Sequence, residues 1–102
     1  MSKTKKQPQV TPNPAGKSED YVQQRNHVPP KKLEAFPFAE KVKRKNLERA
    51  RWRDTVNRYI YEFDNMHNTV ERFTFNGEHQ GEFNHKTGEQ TGPANPARNI
   101  EI

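Results

Sequence analysis

The chain has 102 residues, 28% of them hydrophobic and 30% charged, with no cysteine and a formal net charge of +5. So few apolar residues allow at most one small domain and leave part of the chain unpacked. The absence of cysteine excludes disulfides, thiolate zinc sites and a cysteine nucleophile, and no apolar run approaches a membrane span or the core of a secretory signal.

Residues 1–30 read as a linker-like leader. Pro8, Pro12, Pro14, Pro29 and Pro30 stand among Gln, Asn, Ser and Lys, with little to bury. Residues 31–54 carry nine Lys/Arg against four acids, whereas residues 55–102 carry four against seven. A basic arm therefore feeds an acidic segment. Such an arm suits phosphate contacts, which give affinity without base specificity, and serves equally well as a solubilising face. Good helix formers without Gly or Pro predict a short helix over Ala39–Arg51. Trp52 and an Asp54–Asn57 turn lead into the first strand of a sheet.

From Tyr59 to Phe83 apolar and polar residues alternate in three short runs with turn signals between them, the pattern of a half-buried antiparallel meander. Strands are expected at about 58–64, 70–75 and 79–83, with a fourth short one at Glu89–Thr91. Tyr59, Tyr61 and Phe63 share one side of the first strand. Phe73 and Phe75 share a side of the second, with Glu71 in step, and all five aromatics are expected in the core. Asn76-Gly77 signals a tight primed turn with φ > 0 at both residues. The tail "PANPARNIEI" is extended by its prolines and delivers Arg98, with Ile100 to pin it. The fold class is mainly β, α+β at most, with an irregular N-terminal segment and at most one short helix.

Asp64, His67 and Glu71 stand within this meander. A histidine with two nearby carboxylates is a candidate for proton transfer. Taken singly, His67 reads as a surface ion pair, Glu71 as a strand residue facing solvent and Arg98 as a tail salt bridge. His79 and His85 read as surface or RNA-facing. A metal site from His67, His79 and His85 fits no zinc spacing.

The segments "RW" (51–52), "IYEFDNMH" (60–67), "VERF" (70–73), "GEHQGEFNHKTGEQ" (77–90) and "GPANPARNI" (92–100) together resemble the C-terminal ribonuclease domain of cloacin and the ribosome-cleaving colicins, which also caps contact-dependent and polymorphic toxins. A looser likeness runs back through residues 27–43. The resemblance implies a small, strongly curved antiparallel sheet occupying residues 31–102, with a basic arm at 31–54 and a catalytic sheet at 55–102. It implies a single cut in small-subunit ribosomal RNA at the decoding site, made without metal or cofactor. The family's catalytic Asp, His, Glu and Arg fall on Asp64, His67, Glu71 and Arg98. Its partners are the bacterial ribosome and an acidic immunity protein. Its setting is release by one bacterium and action in the cytoplasm of another.

On this reading Glu71 is the base, His67 the acid held charged by Asp64, and Arg98 the group that stabilises the phosphorane. Lys41, Lys43, Arg44, Lys45, Arg49, Arg51, Arg53 and Lys86 are candidate RNA-phosphate contacts. The chain departs from the family pattern at Phe63 (commonly Trp), Asn68 (Gly), Phe73 (Tyr) and Asn84-His85 (Asp-Pro). "KNLERAR" replaces a glycine-rich basic run. The competing readings are a non-catalytic RNA- or ribosome-binding module on the same scaffold, and a purely structural domain.

Overall fold

The computed structural model describes residues 27–45 and 48–102. The leader expected over 1–30 thus lies, up to residue 26, outside the described residues. Contacts divide the chain into two units. In the described part of the smaller one, the N–H of His27 donates to the Asn65 carbonyl at 3.1 Å, and Asn65 Nδ2 returns a bond to the His27 carbonyl at 3.1 Å. The larger, Pro29–Asp64 with Asn68–Ile102, holds the sheet.

Six strands form that sheet: β1 (Glu40–Val42), β2 (Arg51–Asp54), β3 (Tyr59–Asp64), β4 (Thr69–Thr74), β5 (His79–Phe83) and β6 (Gln90–Gly92). They lie in sequence order, and each neighbouring pair is antiparallel. The chain is mainly β, and the described residues contain no helix. The helix predicted over Ala39–Arg51 is replaced by β1 and the start of β2, in which Lys41 pairs with Trp52 and Val42 with Arg51. The apolar stripe of that segment is thin, so backbone pairing to a sheet edge overrides its helix propensity. Trp52 sits inside a strand for the same reason.

Each turn has local chemistry behind it. The Asp54 carboxylate accepts the N–H groups of Val56 and Asn57 at 2.9 and 2.8 Å, closing the β2–β3 turn. Asn68, at φ 57°, closes the β3–β4 loop by donating its N–H to the Asp64 carbonyl at 2.9 Å. Between β4 and β5 only Gly77 of the Asn76-Gly77 pair has positive φ, at 85°. The N–H of Thr74 donates to the Glu78 carbonyl. The turn is therefore a three-residue loop with a left-handed glycine rather than the two-residue primed turn expected. Thr74 Oγ1 holds it by accepting from the N–H groups of Asn76 and Glu78.

Residues directly opposite in an antiparallel pair share a face. Trp52, Tyr61, Phe63, Val70 and Phe83 consequently lie on one face, where Leu33, Phe36 and Ala39 cover them. Phe36 stacks on Tyr61 at 4.6 Å between ring centroids, and Trp52 Nε1 donates to the Lys31 carbonyl at 3.2 Å. Arg72 lies on this face too, its guanidinium 4.2 Å from the Tyr59 ring and 4.1 Å from the Phe83 ring. The opposite face presents Ile60, Glu62, Glu71, Phe73 and Glu82. Phe73 is fully buried there, on the other side from the Tyr61–Phe63 core. Phe75 is only half-buried, beneath the guanidinium groups of Arg53 and Arg58 at 5.0 and 5.1 Å.

Candidate active site

Glu71 lies in the middle of β4 with only 4% of its surface exposed. A carboxylate so deeply placed needs donors, and two residues supply them. His79 Nε2 lies 2.7 Å from Glu71 Oε1, and Arg98 Nη1 lies 3.5 Å from the same oxygen. Arg98 also stands 5.8 Å from the Phe73 ring centroid. Of the four residues implied by resemblance, Glu71 and Arg98 are therefore in contact. Asp64, half-buried, ends β3; His67 is exposed in the connection 65–68 and belongs to the smaller unit.

Arg98 reaches Glu71 because the tail docks along the start of β5. The N–H of Ile100 donates to the Gly77 carbonyl at 3.0 Å, the N–H of His79 donates to the Arg98 carbonyl at 3.3 Å, and Glu78 bridges to Asn99. A turn in which Arg98 N–H bonds the Asn95 carbonyl at 3.0 Å sets the approach. Beside this junction Glu78, His79, Gln80, Ala94, Pro96 and Asn99 line a cleft of about 420 Å³.

His79 was expected at the surface; it is 7% exposed. Strand alternation alone would set it on the face opposite Glu71. A β-bulge between Arg72 and Phe73 pairs Arg72 with Gly81 but Phe73 with His79, leaving Gln80 unpaired. The extra residue reverses the alternation and turns His79 onto Glu71's face. His85, also expected outside, is 5% exposed. Its Nε2 lies 3.2 Å from Asn68 Oδ1 and its ring 6.1 Å from that of Phe63. Burial, and then the neighbouring Lys86, lower the His85 pKa, while Glu34 pulls it the other way. Asn68 and His85, two of the positions that depart from the family pattern, thus bond each other.

The basic candidates divide. Arg44 and Arg51 converge on Glu62, with Arg51 Nη2 at 2.5 Å and Arg44 Nη1 at 3.3 Å from its Oε2. Lys41 sits 5.8 Å from the Trp52 ring centroid, and Arg53 faces Phe75. Lys43, Lys45, Arg49 and Lys86 are exposed. Tyr61, in the core, has its pKa raised by burial, opposed by a hydrogen bond from Arg72.

The profile of the family described as Cytotoxic matches residues 27–101. The chain is 44% identical over 55 residues to cloacin of Escherichia coli, 42% identical to colicin E6 and 40% identical to colicin E3 of the same organism. Each match covers 53% of this chain, which spans about 10% of the length of these relatives. The chain belongs to the Cytotoxic family, the C-terminal cytotoxic domain of the cloacin and colicin bacteriocins.

Proposed function

We propose that this domain is a toxin endoribonuclease that makes one metal-independent cut in small-subunit ribosomal RNA at the decoding site. The observation that carries the reading is the convergence of Arg98 and His79 on one oxygen of Glu71. No described residue hydrogen-bonds Oε2 of that carboxylate, which leaves an oxygen for proton abstraction.

The 2′-hydroxyl next to the scissile phosphate is the nucleophile. Glu71 takes its proton as the O2′–P bond forms. Arg98 binds the phosphate and stabilises the charge that gathers on its equatorial oxygens. The P–O5′ bond then breaks, and His67, held charged by Asp64, protonates the departing 5′-oxygen. The products are a 2′,3′-cyclic phosphate and a 5′-hydroxyl. Lys43, Lys45, Arg49 and Lys86 contribute phosphate contacts. An acidic immunity protein covers this surface in the producing cell, and the toxin acts in the cytoplasm of the target bacterium.

Purified protein incubated with bacterial ribosomes should release a short fragment from the 3′ end of the small-subunit RNA, and Glu71→Gln should abolish it. Ribosome binding without any fragment would favour the non-catalytic binding module. Neither binding nor cleavage would leave a structural domain.

A further inference from the structure

We propose that His79 is a positioning residue for the base: its imidazole occupies Oε1 of Glu71, aims Oε2 at the substrate hydroxyl, and ties that carboxylate to the tail that carries Arg98. The proposal rests on the ribonuclease reading and deepens it.

Both ring nitrogens of His79 are committed. Nδ1 accepts the backbone N–H of Asn95 at 2.9 Å, and Nε2 lies 2.7 Å from Glu71 Oε1. A nitrogen that accepts an N–H carries no proton, so the ring proton sits on Nε2 and is donated to the carboxylate. The same residue gives its backbone N–H to the Arg98 carbonyl. Its ring packs edge-on to buried Phe73, with centroids 5.2 Å apart. A single side chain therefore links Glu71, the Asn95 turn and the Arg98 segment. Its placement depends on the bulge opposite Arg72 and Phe73. Gly81 permits that bulge at φ 136°, where a β-carbon would meet the Gln90 side chain and the Gly92 carbonyl. His79 does not touch the reacting atoms. It acts by keeping the base and the cation in one frame, which matters because small misplacements of reacting groups cost large factors in rate.

Two amide substitutions separate the two bonds. The amide nitrogen of His79→Gln falls near the position of Nε2 and can still donate to Glu71. The amide oxygen of His79→Asn falls near Nδ1 and can still accept from Asn95, but leaves Glu71 without its donor. In steady-state assays with ribosomes in excess, His79→Gln should stay within about 10-fold of wild type, while His79→Asn should lose about 10²-fold in kcat with KM unchanged. Equal rates for the two variants, or a loss confined to KM, would overturn the assignment.

Imidazole nitrogen NMR on the intact protein supplies a readout independent of cleavage. The Nε2–H form should be seen, and Glu71→Ala should expose its proton to exchange. An Nδ1–H form, or an Nε2 proton indifferent to Glu71, would sink the proposal even if the ribosome is cut. If wild-type protein fails to cut while these signals appear, the nuclease reading fails and the linkage through His79 stands.

Discussion

Glu62 and Glu71 are directly opposed across β3 and β4, and Glu71 is opposed in turn to Glu82 across β4 and β5. Three carboxylates thus form one cross-strand row, an arrangement that repels itself. Each end and the middle are compensated separately. Arg51 and Arg44 bind Glu62, His79 and Arg98 bind Glu71, and Thr91 Oγ1 donates to Glu82 at 2.7 Å. The basic residues of the 31–54 segment are therefore not interchangeable: two of them, Arg44 and Arg51, hold one of the sheet's own acids, Glu62. Arg51→Met should cost about 1–3 kcal/mol by urea unfolding, since it strips a charged partner from a carboxylate that is 7% exposed. Adding Glu62→Gln should recover most of that loss. Additive effects in the double-mutant cycle would show that the pair is not coupled.

Arg98 is different in kind. Its side chain is 37% exposed and its contact to Glu71 is 3.5 Å, so it contributes little to the fold. Arg98→Ala should leave the unfolding midpoint close to wild type while cleavage falls by about 10²–10³-fold, the usual cost of deleting a group that meets transition-state charge. Arg98→Lys should restore only part, because an ammonium lacks the planar fork. A full return of rate with lysine would reduce Arg98 to a generic positive charge.

The tail can also be displaced from a distance. Gly77 has φ 85°, and a β-carbon there would run into the backbone of Ile100. Gly77→Ala should destabilise the domain by about 1–2 kcal/mol from the left-handed backbone alone. It should also lower cleavage more than a stability-matched core variant such as Val70→Ala, because it lifts the segment that holds Arg98. Equal activity in the two variants would separate the tail from the site.

Stability should fall in mild acid through His85. Its pKa in the folded protein lies below the usual 6.5, because burial disfavours the charged ring. Above pH 6.5 the ring is neutral in both states and its contribution is complete. As pH falls below 6.5 the unfolded chain takes up a proton that the folded chain resists, so stability declines until the folded pKa is passed. Urea midpoints measured across this range should drop less for His85→Gln than for wild type. Parallel curves would assign the acid sensitivity elsewhere.

Local pattern alone established the meander. Period-two alternation put Tyr59, Tyr61 and Phe63 on one side, the Asn76-Gly77 pair marked the β4–β5 hairpin, and the order of Asp64, His67, Glu71 and Arg98 announced the family. Those features depend on neighbours a few residues apart and on spacing along the chain, which any reader of the sequence can see. Tertiary structure decided the rest. Residues 40–42 and Arg51 joined strands rather than a helix because a sheet edge was available to them. Phe73 went to the face away from Tyr61, and Arg44 and Arg51 turned inward to Glu62. One extra residue at Gln80 sent His79 to the carboxylate instead of to solvent. A bulge arises from how two strands and a docked tail share their hydrogen bonds, and no property of His79's immediate neighbours encodes it.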